Sequence, residues 1–282
     1  MKIIKSAREM QKEAIQQKKS GVTIGFVPTM GFLHNGHTSL IKEARKRCEW
    51  LVVSIYVNPL QFAPNEDLDS YPRAPEEDAH LCAAEGVDVL FMPEELYEDN
   101  HSSYVNVEEL TNELCGASRP THFKGVTTVV ARLFGLVQPD IAIFGEKDFQ
   151  QLAVIRAMVR DLAMPIQILG GKLVRDHDGL ALSSRNRYLS KEQRTRAVSI
   201  FQTLSLIQNA VAHGENNTHL LLKIARESLQ VDELDYLEFV DPQTLRPLKK
   251  LDTEARVLIA AWVGNTRLID NMALYPQGSG HE

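Results

Sequence analysis

Residues 21–40 read GVTIGFVPTMGFLHNGHTSL, and this stretch decides the fold. Val22, Thr23, Ile24, Gly25, Phe26 and Val27 put nonpolar groups on both faces of an extended chain, as in a parallel strand covered on both sides. Pro28 is expected to stop the ladder, and Gly31 and Gly36 allow tight turns. A helical pattern begins at Thr38 with Leu40, Ile41 and Ala44. Strand, glycine-bearing loop and helix in this order form the first crossover of an open parallel sheet. Its loop falls at the carboxyl end of the strands, where free amides at the helix start are expected to attract an anion such as phosphate.

Within that loop, His34-Asn35-Gly36-His37 spaces two imidazoles three residues apart around a glycine, so both can point into one cleft and donate to phosphate oxygens. A zinc half-site is the competing reading, but Cys, Asp and Glu at metal-like spacing are missing nearby. Ordinary loop histidines remain an alternative on this stretch alone.

Working outward, residues 50–57 (WLVVSIYV) repeat the doubly buried strand pattern and release Asn58-Pro59-Leu60-Gln61-Phe62 at the same sheet edge. Gln61 there offers an amide that both donates and accepts, suited to a hydroxylated acid, or simply stabilises its loop. Residues 140–144 (DIAIF) form another buried strand that ends in Gly145-Glu146-Lys147-Asp148, with Gln151 one turn into the next helix. Gly145 permits close approach, Lys147 brings a mobile cation and Asp148 can accept from ribose hydroxyls, unless the stretch is only a solvated helix start. Residues 179–189 (GLALSSRNRYL) place two hydroxyls, Ser183 and Ser184, before Arg185, a compact donor set for a polyphosphate or merely a helix cap.

The remaining elements follow by the same rules. A capping-box pattern at Ser6–Glu9 starts a helix over 6–19. Residues 63–75 form a long polar loop, 76–85 a helix, 87–91 a strand, 104–107 a short strand, 126–137 an apolar helix and 166–169 a further strand. Asp67, Asp69 and Asp78 are either a lure for a divalent ion or solvated surface. From Ser190 the pattern changes: a long helix with Ala197, Ile200, Phe201, Leu204 and Ile207 on one face ends by Gly214, and a second covers 218–229. Strands at 234–240, 255–263 and 266–273 then suggest an antiparallel sheet. The tail from Gln277 to Glu282 is expected to fray.

The fold class is therefore α/β: a Rossmann-like doubly wound parallel sheet over 1–176, with a second, smaller α+β domain over 177–282. At 282 residues, 44% hydrophobic and 24% charged, the chain has the makings of a soluble globular protein with a real core. A net charge of -6 argues against a general nucleic-acid grip. Cys48, Cys82 and Cys115 are odd in number and far apart, as expected of reduced thiols. With no apolar span near membrane length and no signal-peptide pattern, the expected location is the cytoplasm, with no membrane partner.

The paired H-x-x-H and Ser-Ser-Arg segments resemble the nucleotidyltransferase superfamily. PTMGFLHNGH, VNPLQF, YPR, RPTHFKGV, GEKDFQQL and GLALSSRNRYL, in this order over residues 28–189, are similar to the pantothenate synthetase family, the pantoate–β-alanine ligases. Arg267-Leu268-Ile269-Asp270-Asn271 near the end also fits that family.

The resemblance implies ATP-driven amide synthesis: pantoate is adenylated with loss of pyrophosphate, then β-alanine displaces AMP to give pantothenate. It implies that Met30, Gly31, Phe32, Leu33, His34, Asn35, Gly36 and His37 hold ATP, with His34 and His37 stabilising the departing pyrophosphate and His37 as proton donor. Gly145, Glu146, Lys147 and Asp148 would hold phosphate and ribose, with Lys147 and Arg185 catalytic. Val174 would border adenine, and Leu182, Ser183, Ser184 and Arg185 would close over the triphosphate. Gln61 and Gln151 would bind pantoate, Gln61 also meeting β-alanine. Mg²⁺ would arrive bound with ATP, without a dedicated protein metal site. The resemblance further implies a homodimer and a C-terminal lid.

Phe32, Tyr56, Ala63 and Cys115 depart from the family pattern, and Phe32 puts a ring into the phosphate loop. The competing readings are a plain nucleotidyltransferase acting on a phosphate acceptor, and a catalytically silent nucleotide-binding regulator.

Overall fold

The computed structural model describes residues 1–64 and 66–277 of the chain. Residues 278–282, most of the tail expected to fray, lie outside the described residues. Two compact units are present: Met1–Glu146 with Gln151–Leu173, and Lys147–Gln150 with Val174–Glu282.

The first unit runs β1 (Lys2–Ile4), α1 (Ala7–Lys19), β2 (Ile24–Thr29), α2 (Asn35–Arg45), β3 (Trp50–Ile55), α3 (Pro75–Ala84), β4 (Val89–Phe91), α4 (Cys115–Ser118), α5 (His122–Val137), β5 (Ile141–Gly145), α6 (Phe149–Asp161, its first two residues counting with the second unit) and β6 (Gln167–Gly171). Its six strands are ordered β1-β4-β3-β2-β5-β6 and pair in parallel throughout. The strand order reverses between β2 and β5, the switch point at which such sheets open a crevice beyond their carboxyl ends.

Alternation along the strands explains the double layering. Phe26, Val52, Ala142 and Phe144 pack with Met10 and Ala14 of α1, with Val126, Val130 and Leu133 of α5 and with Ile155 of α6. Val27, Leu51, Val53 and Ile143 face the other way, onto Leu40, Ile41 and Ala44 of α2 and Cys82 of α3.

Three expectations are corrected here. Pro28 does not end β2, which pairs through Pro28↔Ser54 to Thr29↔Ile55. The carbonyl of Ile24 faces β5 and that of Thr29 faces β3, so by alternation the missing N–H of Pro28 lies on the β5 side, where pairing has ended at Phe26↔Ala142. Residues 104–107 are not a strand. Their main chain is held by side chains of α5, with Val105 N–H donating to Thr128 Oγ1 at 3.1 Å and Thr127 Oγ1 donating to Val105 O at 2.6 Å. The helix of the opening motif starts at Asn35, three residues earlier than its apolar pattern, because His34 caps it.

The second unit contains α7 (Lys191–Ala212), α8 (Thr218–Ser228), and β7 (Glu233–Val240), β8 (Ala255–Val263) and β9 (Thr266–Leu274) in an antiparallel sheet of that order. Ala197, Ile200, Leu204, Ile207 and Val211 of α7 and Leu221 and Ala225 of α8 bury against Phe239, Val257, Ile259 and Leu268. Ser190 and Gln193 make a reciprocal capping box that fixes the start of α7. Phe201 leaves the apolar stripe and lies 4.4 Å under the Arg175 guanidinium.

Candidate active site

The loop after β2 is built from inside. Gly31 (φ +85) and Phe32 (φ +51) take left-handed conformations in succession, costly for the phenylalanine. Asp78, in the first turn of α3 and 3% exposed, holds them: its carboxylate accepts from Phe32 N–H at 2.8 Å and from Leu33 N–H at 2.7 Å. Gly31 N–H donates to Thr29 Oγ1, His34 N–H to His37 Nδ1 at 3.2 Å, and Gly36 N–H to His34 Nδ1 at 3.1 Å. The amides of Gly31 to His34 and of Gly36 therefore already have acceptors in the loop or in α3 and are not among the outward-facing amides expected here.

What the loop presents instead is chemistry on the rings. A ring nitrogen that accepts from an amide carries no proton, so hydrogen bonding assigns the proton of each neutral imidazole to Nε2. The ring centroids are 4.1 Å apart, at the positive end of the α2 dipole. His34 and His37 therefore form one donor surface for an anion.

Asp78 is not a solvated surface carboxylate, since it is buried and both its oxygens accept from amides of the loop. Burial pushes its carboxyl up, partly opposed by the Leu33 and Phe32 amides. Among the described residues no three His, Cys, Asp or Glu side chains cluster as a metal cage.

Gln61 ends a 3-10 turn, Pro59–Gln61, and is 8% exposed. Asn58, 1% exposed, sets its amide. Asn58 Oδ1 accepts from Tyr97 OH at 3.1 Å and Leu60 N–H at 3.4 Å, so its Nδ2 donates to Gln61 Oε1 at 3.1 Å and to Gly125 O at 3.1 Å. The Gln61 NH₂ is thereby turned toward Met30, 3.1 Å from its sulfur. The Gln61 carbonyl accepts from Arg119 at 3.2 Å and from His122 Nδ1 at 2.8 Å, and Arg119 makes a forked pair with Glu66. Burial pushes the Glu66 carboxyl up, but the Arg119 guanidinium outweighs it and holds the group below the ordinary range. Tyr97 gave no sequence signal as part of this network, and Asn58, Arg119 and His122 were visible only as neighbours within quoted motifs.

Gly145 and Glu146 leave β5 at the same sheet edge as residues 30–37, because β2 and β5 are parallel neighbours. Gln151 sits half-buried in the first turn of α6. Lys147 and Asp148 lie in the 3-10 turn Glu146–Asp148 but count with the second unit; Lys147 Nζ is 3.7 Å from Asp148 Oδ1. Also in the second unit, Leu182 N–H donates to Val174 O at 3.0 Å. Ser183 Oγ accepts from Arg185 N–H at 3.3 Å, capping the 3-10 helix Ser184–Tyr188. Ser183 is thus a cap, as one reading of the sequence held, and Ser184 is buried.

A doubly wound parallel sheet with an imidazole pair at the helix start beside its switch point is the architecture of a nucleotide-binding α/β enzyme. Residues 2–273 match the family model described as pantoate-beta-alanine ligase. The pantothenate synthetase of Desulfatibacillum aliphaticivorans is 49% identical over 98% of this chain and 100% of its own, and that of Pseudomonas fluorescens (strain Pf0-1) 50% identical over 97% and 98%. A crystal structure of pantothenate synthetase from Thermus thermophilus superposes with a TM-score of 0.92 at 45% identity, covering 98% of this chain and 100% of that one. A pantoate-β-alanine ligase from Francisella tularensis, complexed with β-γ ATP and β-alanine, gives 0.79 at 33% identity over 96% and 97%. The chain belongs to the pantoate–β-alanine ligase family.

Proposed function

We propose that this chain condenses (R)-pantoate with β-alanine at the expense of ATP, through a pantoyl adenylate. A carboxylate is a poor electrophile at neutral pH. In the first step a pantoate carboxylate oxygen bonds to the α-phosphorus of ATP while the bond from that phosphorus to the bridging oxygen breaks, releasing pyrophosphate. In the second, the β-alanine nitrogen bonds to the activated carbonyl carbon, the carbon–oxygen bond to AMP breaks, and the amine loses its proton.

The observation that carries this reading is the reciprocal capping of His34 and His37, which leaves the proton of each neutral ring on Nε2. Fixed donors of this kind stabilise charge as it develops on a leaving pyrophosphate, with His37 donating a hydrogen bond from Nε2–H to that group and keeping its proton. We assign ATP to residues 30–37, Gly145 and Glu146 of the first unit and to Lys147, Asp148, Val174 and residues 182–185 of the second. Lys147 and Arg185 supply positive charge to the phosphates. Gln61 offers its NH₂ to the acceptor oxygens of pantoate, and beside it to β-alanine, while Gln151 adds a second amide for pantoate.

Mg²⁺ would arrive with ATP and would screen the charge of its phosphates. No helix among the described residues is long and apolar enough to cross a membrane. A cytoplasmic homodimer, with a nucleotide- and pantoate-binding domain over 1–176 and a smaller domain over 177–282, completes the proposal.

The test is product chemistry. AMP and pyrophosphate should form from ATP only with pantoate present, and pantothenate only when β-alanine is added. Failure with both acids, with AMP passed instead to a phosphate acceptor, overturns the reading.

A further inference from the structure

The main chain of Lys147 is tied to β9 by one side chain. Asn271 is 5% exposed, and its Nδ2 donates to Lys147 O at 2.9 Å. The orientation of that amide follows from its other partner: Arg256 Nη1 lies 3.1 Å from Asn271 Oδ1, and a guanidinium only donates, so the oxygen faces Arg256 and the NH₂ faces Lys147. Two residues beyond Lys147, the same Arg256 guanidinium lies 3.9 Å over the ring of buried Phe149. Arg256 thus grips the segment directly at residue 149 and, through Asn271, at residue 147.

Asn271 is itself held. Its N–H donates to Asp270 Oδ1 at 2.7 Å, and Asp270 forms a forked ion pair with Arg175 at 2.6 and 3.0 Å. A side chain used only to fill space in β9 would not require a polar amide committed on both sides, since each buried polar atom is costly unless paired.

We propose that Asn271, with its amide set by Arg256, is the positioning residue for Lys147, fixing the lysine main chain so that its ammonium meets the nucleotide phosphates. This rests on the phosphate role given to Lys147 above. Holding the main chain at residues 147 and 149 limits the space the flexible lysine stem can search, which is how a remote contact acts on a reacting geometry.

The experiment is a double-mutant cycle on the full chain, read as single-turnover pyrophosphate release from ATP at saturating pantoate. Asn271→Asp keeps the shape and the Arg256 contact but turns an oxygen toward the Lys147 carbonyl. It should slow adenylation on the order of a hundredfold, with the KM for β-alanine unchanged. In a Lys147→Ala background the same change should cost less than about threefold, because the residue it acts through is gone. Asn271→Ala, which removes the donor without adding charge, serves if Asn271→Asp does not fold. An equal loss in both backgrounds, or no loss in either, overturns the inference. If Lys147→Ala alone leaves adenylation unchanged, the role of Lys147 fails and the inference falls with it.

Discussion

Leu33 and Asp78, 45 residues apart in sequence, are joined by a 2.7 Å hydrogen bond from the Leu33 N–H to a carboxylate that also accepts from Phe32. The left-handed Gly31–Phe32 pair is stable because an acceptor-only group sits beneath it. Asp78→Asn replaces one acceptor oxygen with a donor, so one buried N–H loses its partner, at about 1–3 kcal/mol. Adenylation should fall with stability. Because burial raises the Asp78 carboxyl, the folded protein binds this proton more readily than the unfolded chain, so the contribution is fully present below the ordinary carboxylate range and declines as pH rises through the folded value. Chemical unfolding across that range should show this slope in the parent and not in Asp78→Asn.

His37→Ala would remove a cap and the proposed transition-state donor together. His37→Gln separates them, since a glutamine at this third helical position can still accept from the His34 N–H. The expected result is a melting temperature close to the parent and adenylation slowed by about 10²–10³, the cost of losing one fixed transition-state donor. A comparable fall in ATP affinity would show that the ring serves binding alone.

The parallel sheet was legible because β2, β3 and β5 are apolar on both faces, which only a doubly covered sheet requires, and the C-terminal sheet because its strands alternate with clear turns. The start of α2 was not, since histidine is an uncommon cap and the helical pattern shows only from Thr38. Nor was β1, whose three residues carry too little periodicity to register. Residues 104–107 carry strand composition, yet their hydrogen bonds go to two threonines of α5, a tertiary fact. At the candidate site, His34, His37 and Gln61 announce themselves by residue type and placement. Asp78 reaches Leu33 across 45 residues of chain and Tyr97 reaches Asn58 across 39, and single-sequence reading has no handle on such pairings.

The thiols give a prediction independent of the reaction. Cys82 is fully buried and its thiol is pushed up to about 12 by burial first and by Asp78 second; burial also raises Cys48. Alkylation by iodoacetamide at pH 8 should therefore be slow at both in the native protein and fast after denaturation. The sign for stability follows: the Cys82 contribution is complete below the ordinary thiol value of 9.0 and is lost as pH rises through about 12. Rapid native labelling of Cys82 would contradict the packing of α3 against the sheet.

Gly125, inside α5, allows that helix to touch the turn that presents Gln61. A Cβ there would lie 2.3 Å from Leu60 O and 2.6 Å from Gln61 Cα, both main-chain atoms that cannot swing aside. Its carbonyl also receives Asn58 Nδ2, so the glycine sits under both the main chain and the amide relay of the turn that carries Gln61. Gly125→Ala would gain helix propensity in isolation, by roughly 1 kcal/mol. Overpacking of this kind typically costs about 1–3 kcal/mol, so the net change is expected to be destabilising. Displacement of the turn should also raise the KM for pantoate more than that for ATP, because Gln61 moves while His34 and His37 keep their own cap. Steady-state kinetics with each substrate varied, alongside thermal unfolding, checks both parts. An unchanged pantoate KM in a folded Gly125→Ala protein would detach Gln61 from the acid it is proposed to hold.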